Sequence, residues 1–233
     1  MALSRRALLT APLLCGAIPV LAQPAPNVAP SLDSFAVPSH RFQRFAFSSV
    51  DGLRRYRVTV AVPRDIAPGT MVPALYLCDG NAAFTSITPE DVAQLGPVAL
   101  VALGYDTAER YDLVSRNYDY TPAVDGAATI DELKPDNRAG GALIFADLLA
   151  NQIIPTLEAA LPLDASRRAL WGHSYGGLFT LVTLFERPDL FKAYAPSSPS
   201  LWWYQGRTFQ APPRHPTGPR FVHLSVGTAE TNR

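Results

Sequence analysis

The sequence predicts an α/β sandwich built on a mainly parallel sheet, with an antiparallel hairpin at its N-terminal edge. Three observations carry that reading. VPALYLC (72–78) and PVALVALGY (97–105) are unbroken apolar runs, which suit strands covered on both faces. Stretches of helical spacing alternate with such runs along most of the chain, the order that builds parallel sheets. Ahead of them, Tyr56, Val58, Val60 and Val62 alternate with Arg55, Arg57, Thr59 and Ala61, the two-residue period of a half-buried strand.

Taken in order, the chain opens with Ser4-Arg5-Arg6 and the apolar run ALLTAPLLCGAIPVLA, closed by Val20-Leu21-Ala22. A basic start, a short apolar centre and small residues at a cleavage point predict a secretory signal over 1–22, with Arg5-Arg6 hinting at twin-arginine export. Residues 23–39 carry four prolines and read as a linker. The predicted domain, 40–233, begins with RFQRFAFSS, a turn at Val50-Asp51-Gly52 and the alternating strand. Thr88-Pro89-Glu90-Asp91 presents an N-cap, a first-turn proline and two acids that suit a helix dipole. Residues 106–139 are polar and read as one long loop. A helix kinked at Pro155 is expected over 140–161. RRALWG is the next strand, GGLFTLVTLFE the next helix and FKAYAPSS another strand. SLWWYQ and the Pro-rich APPRHPTGP lead to a last strand, FVHLSVG.

Composition narrows the function. The 233 residues are 48% hydrophobic, enough for one domain with a substantial core. Twenty basic residues balance 20 acidic ones, which argues against a nucleic-acid partner. Cleavage after Ala22 would remove Cys15 and leave Cys78 alone, in an apolar run, as a small buried hydrophobe. The four histidines are scattered and no Cys cluster occurs, so no metal and no cofactor are expected. The expected partner is a small molecule, with no stable membrane anchor after signal cleavage; oligomeric state is left open.

Gly172-His173-Ser174-Tyr175-Gly176 matches G-x-S-x-G, with an apolar strand before it and a helical run after it. In that context the serine sits on a strained strand-to-helix turn, and side chains at the glycine positions would clash. The Tyr175 backbone N–H is one expected oxyanion donor. The second belongs to Cys78-Asp79-Gly80-Asn81, with Asn81 preferred and Gly80 next.

At these residues the chain resembles the esterase family of the α/β-hydrolase superfamily that is related to siderophore (enterobactin-type) esterases. LYLCDGNAAF, RNYDYTP, the GGALIF helix start, WGHSYGGLFTL and SPSLWW carry the resemblance, from about residue 40 onward. It implies a three-layer α/β-hydrolase sandwich, an ester hydrolase with Ser174 as nucleophile, and a substrate site lined by RNYDYTP and SLWW. By its own chemistry Arg116 suits a carboxylate or catecholate oxygen, or an internal bridge to Asp119. Tyr118, Tyr120, Trp202 and Trp203 suit the walls of an aromatic site, or simple core packing.

The triad order in this fold is nucleophile, acid, histidine. Glu230, just past FVHLSVG, is the expected acid. After it only Thr231, Asn232 and Arg233 remain, with no histidine. His173 is expected to point away from the serine, His223 to lie mid-strand facing a sheet layer, His215 to sit in the Pro-rich loop and His40 at the N-terminal edge. The expectation is therefore a C-terminally incomplete form, lacking the last strand and helix, with turnover lost or much reduced. A non-catalytic ligand-binding homologue and an acyltransferase stay open as alternatives.

Overall fold

A computed structural model describes residues 27–28, 37–124, 129–131, 133–209, 217–228 and 230. The expected signal, 1–22, lies outside the described residues, as do most of the linker and His215. Strands β1 (His40–Ser48), β2 (Arg55–Pro63), β3 (Val72–Leu77), β4 (Ala99–Tyr105), β7 (Leu163–His173), β8 (Ala193–Ser197) and β9 (Phe221–Val222) form one sheet, while β5 (Thr129–Ile130) and β6 (Arg138–Ala139) form a separate ribbon. The large sheet has seven strands in the order β1-β2-β4-β3-β7-β8-β9. β1 and β2 make the expected antiparallel hairpin, and β2 runs antiparallel to β4. The pairs from β4 through β3, β7 and β8 to β9 are all parallel.

Helices cover both faces, and strand alternation decides which side chain meets which layer. Val58, Val60, Tyr76, Val101, Leu103, Leu170 and Tyr194 point into the larger core cluster. Its other wall is α3 (Leu113–Tyr120), α4 (Ala142–Leu148), α5 (Ile154–Ala160) and α6 (Tyr175–Glu186). Ala61, Leu77, Leu100 and Ala102 point the other way, against α1 (Gly80–Ser86) and α2 (Pro89–Gln94). Every residue of β4 is buried, which is why its sequence reads as a continuous apolar run.

Local sequence sets several of these elements. α2 has a full capping box: the Thr88 side chain accepts from the Asp91 N–H, and the Asp91 carboxylate accepts from the Thr88 N–H. The bend expected at Pro155 is a π-helical turn, Leu149–Ile153, placed just before the proline. Pro155 has no N–H and its ring crowds the carbonyl four residues back, so the chain widens by one residue there. By length and composition Ala142–Ala160 could cross a membrane, yet Phe145, Leu149, Ile153 and Leu157 are buried in the core.

Two sequence expectations need correction. Residues 106–139 are not one loop. Asp112 caps α3 by accepting from the Ser115 N–H and hydroxyl, and β5–β6 follows. His223 does not lie mid-strand facing a layer: β9 ends at Val222, and His223 is exposed, its N–H donating to the Tyr194 carbonyl.

Candidate active site

Ser174 joins β7 to α6 at φ 56° and ψ −118°, a conformation that a non-glycine residue adopts only when its surroundings impose it. Those surroundings are visible. Its N–H donates to the Ser197 carbonyl at 3.1 Å, and its carbonyl accepts from the Ser200 N–H at 3.2 Å. A Cβ on Gly172 would stand 2.2 Å from the Gly176 carbonyl oxygen, so the strand can turn into the helix only if residue 172 has no side chain. The Ser174 hydroxyl lies 3.3 Å from the Ser200 hydroxyl. His173 is exposed beside it.

The end of β3 packs against this elbow. A Cβ on Gly176 would meet the Cys78 Cβ at 3.0 Å and the Asp79 Oδ2 at 3.7 Å. Cys78 is buried, and burial first, then the neighbouring Asp79 charge, pushes its thiol well above the ordinary value. It is a core residue, as expected. Asp79 has left-handed backbone angles and leads directly into α1, so Cys78-Asp79-Gly80-Asn81 is a helix start rather than a loop. Asn81 occupies the second position of α1. N–H groups in a first helical turn have no acceptor within their own helix, which leaves the Asn81 amide unclaimed by α1. The Asn81 side chain is committed elsewhere: its Nδ2 donates to the carbonyls of Tyr105, Thr107 and Glu109, and its Oδ1 accepts from the Tyr105 N–H.

A cavity of about 820 Å³ opens at Ser174 and His173. Asp79, Arg116 and Tyr111 line it as well, with Leu75, Leu77, Leu100 and Trp171 from the sheet. Among the described residues no group of three or more His, Cys, Asp and Glu side chains is placed to hold a metal ion.

Arg116 is brought to the site, but in an internal pair with Asp79 rather than Asp119. Nε meets Oδ1 at 2.8 Å and Nη2 meets Oδ2 at 3.0 Å. Burial works against the guanidinium charge, and the Asp79 carboxylate with its hydrogen bonds more than offsets it, so Arg116 holds its proton more tightly than usual. Asp119 instead pairs with Arg54 at 3.1 Å.

Tyr120 and Trp203 do not wall the site. Both are fully buried: the Tyr120 hydroxyl accepts from the Asp79 N–H, and Trp203 Nε1 donates to the Pro122 carbonyl. Tyr118 is half-buried between the guanidinium groups of Arg54 and Arg138, at 4.3 Å and 5.3 Å, and its ring fills the space a Cβ on Gly141 would need. Trp202 is half-buried with its ring 5.8 Å from that of Tyr175. Glu230 is exposed; its N–H donates to the Gly227 carbonyl, and its side chain lies over Gly227.

The family model described as "Putative esterase" matches residues 53–232. The chain belongs to this esterase family. Within the esterases, it is 40% identical to the apo-salmochelin esterase of Escherichia coli O6:H1 over 208 residues, 85% of this chain and 62% of that protein. It is 30% identical to the ferri-bacillibactin esterase BesA of Bacillus subtilis over 184 residues, 73% of this chain and 62% of that protein. The chain therefore spans less than two thirds of the length of either relative. The solved structure of the enterobactin and salmochelin hydrolase IroE superposes with a TM-score of 0.64 at 41% identity, covering 78% of this chain and 70% of that one. The sheet order and the helix layers are those of an α/β hydrolase.

Sequence reasoning missed three residues at this site. Asp79 lies in a turn, Ser200 in SPSLWW and Tyr111 in a polar stretch, and none of them stands in a motif of its own. No local pattern points to any of them, because the partners of Asp79 and Ser200 lie 37 and 26 positions away along the chain.

Proposed function

We propose that the protein is a serine hydrolase of carboxylic esters, of the siderophore class, and that Ser174 forms the acyl-enzyme. The observation that carries this reading is the strained elbow at φ 56°, which places Ser174 in the lining of the cavity. The Ser174 oxygen attacks the ester carbonyl, and the Tyr175 and Asn81 backbone N–H groups receive the negative charge that develops on the carbonyl oxygen; the acyl carbon–oxygen bond then breaks, the alcohol leaves with the serine proton, and water releases the acid and restores the Ser174 hydroxyl. Relatives named for apo-salmochelin and ferri-bacillibactin support siderophore esters as the substrate class. Glu230 is the proposed acid, and a periplasmic or secreted location follows from the expected signal at 1–22.

A second reading, a protein that holds such a ligand without turning it over, is favoured by one observation. The hydrogen-bond partner described for the Ser174 hydroxyl is another hydroxyl, that of Ser200, and no described histidine bonds to it. His40, for instance, is bonded to Ser39 and to the Val98 carbonyl. The test is a fluorophosphonate probe on the wild-type chain and on Ser174→Ala, with the products of a trilactone siderophore followed in parallel. Labelling and hydrolysis that both vanish in the variant support the esterase. Tight siderophore binding without labelling supports the holding protein, and acyl transfer to an added alcohol would identify an acyltransferase.

A further inference from the structure

The Asp79–Arg116 pair lines the same cavity as Ser174, yet the ester chemistry described above gives it no part. Asp79 sits at φ 52° and ψ 48°, a left-handed conformation that costs a non-glycine residue about 1–2 kcal/mol. Aspartate directly before a helix normally caps it, but this side chain makes no cap bond. Both carboxylate oxygens go to Arg116 instead. The Asp79 N–H is also spoken for, donating to the Tyr120 hydroxyl at 2.9 Å. Arg116 and Tyr120 are one turn apart on α3, so that helix grips Asp79 by side chain and backbone together.

The next residues are held just as firmly. A Cβ on Gly80 would come within 2.6 Å of the β4 backbone, so the chain lies flat against that strand. The four side-chain hydrogen bonds of Asn81 then tie it to residues 105–109. Arg116 also reaches the elbow: its guanidinium carbon is 5.5 Å from the centre of the Tyr175 ring, and 5.6 Å and 5.9 Å from those of Tyr120 and Tyr111.

We propose that Arg116 and Asp79 are positioning residues for the oxyanion site, holding the Asp79–Gly80 turn left-handed so that the following amides face an ester carbonyl at Ser174. This rests on the reading of Ser174 as nucleophile. Arg116 acts through Asp79 and does not itself bind the substrate. A planar fork that matches a carboxylate at two points can fix a strained turn; a lysine, with a single point of charge, cannot.

The test compares the whole chain with Arg116→Lys, Arg116→Met, Asp79→Gly and Asp79→Ala. Amide resonances of Gly80 and Asn81 should move in both Arg116 variants, and fluorophosphonate labelling of Ser174 should slow by about a hundredfold, the scale of losing one oxyanion donor. Hydrolysis of p-nitrophenyl acetate and of a siderophore ester should lose kcat alike, with KM unchanged. Asp79→Gly should retain more labelling than Asp79→Ala, because glycine takes a left-handed turn without strain. Amides that stay in place in Arg116→Met, equal labelling in the two Asp79 variants, or a KM rise confined to the siderophore ester would each overturn the proposal. If the wild-type chain is not labelled at all, the nucleophile reading fails, and the amide spectra still decide whether Arg116 sets the turn. If Arg116→Met does not fold, Arg116→Lys and the Asp79 pair carry the same comparison.

Discussion

The hydroxyl oxygens of Ser174 and Ser200 stand 3.3 Å apart, and Ser200 is buried. The end of β8, at Ser197, and the loop after it, at Ser200, hold the elbow twice more through the backbone. Ser200→Ala keeps those backbone bonds and deletes only the hydroxyl that orients the Ser174 oxygen. We expect fluorophosphonate labelling of Ser174 to slow about fivefold, the size of one ordinary hydrogen bond of about 1 kcal/mol, with little change in thermal midpoint. A time course of labelling checks this; an unchanged rate would show that the hydroxyl pair has no bearing on attack.

A second buried centre joins β2, β4 and α3. Asp119 accepts from the Tyr56 hydroxyl at 3.0 Å and the Tyr105 hydroxyl at 3.2 Å, and pairs with Arg54 at 3.1 Å. Burial pushes its carboxyl up to about 7 from an ordinary 3.8, against the pull of Arg54 and the two tyrosines. A folded-state value above the unfolded one means that the native protein binds the proton more tightly. Its stabilising contribution is complete below about pH 3.8 and is lost as the pH rises through about 7. Asp119→Asn, uncharged throughout, should flatten the fall in stability across that window. Urea unfolding at several pH values would measure it, and parallel profiles for the two proteins would refute the linkage.

The two centres also show where sequence reading stops. β3, β4 and the elbow were legible because their causes are local: unbroken apolar runs, and glycines spaced around a serine. α3 was not. Its buried residues include Arg116, Asn117 and Asp119, so its inward face is polar and carries no apolar stripe. What makes that face buriable is a set of distant partners, Asp79, Arg54, Tyr56 and Tyr105, that only the fold brings together. For the same reason the sequence leaves Tyr120 and Trp203 open between site wall and core: an aromatic residue in a motif reads identically whether its polar atom meets a substrate or, as here, the Asp79 N–H and the Pro122 carbonyl.

At the far edge of the sheet β9 is two residues long, and Phe221 is 74% exposed, with Val222, Leu224 and Val226 also more than half exposed. An apolar strand at an edge, with nothing over it among the described residues, invites pairing with another chain. Phe221→Lys should reduce concentration-dependent association, seen by light scattering, without lowering the thermal midpoint, since that side chain buries little. Association that persists unchanged in the variant would place the sticky surface elsewhere.

The elbow itself makes the sharpest structural prediction. A methyl group at residue 172 would stand 2.2 Å from the Gly176 carbonyl oxygen and 2.3 Å from its carbon, against main chain that no rotamer change can move aside. Gly172→Ala must therefore push the start of α6 away from β7. The strain should cost about 1–3 kcal/mol, or more if the helix cannot shift. Because Ser174 sits between those two elements, the same movement displaces its hydroxyl. We expect a lower urea midpoint together with Ser174 labelling near background. Gly218→Ala is the matched control, since among the described residues a Cβ there would meet only the Arg220 side chain, at an unstrained 3.9 Å. If Gly172→Ala keeps both stability and labelling, the tight crossing of β7 and α6 is not what holds the serine in its strained conformation.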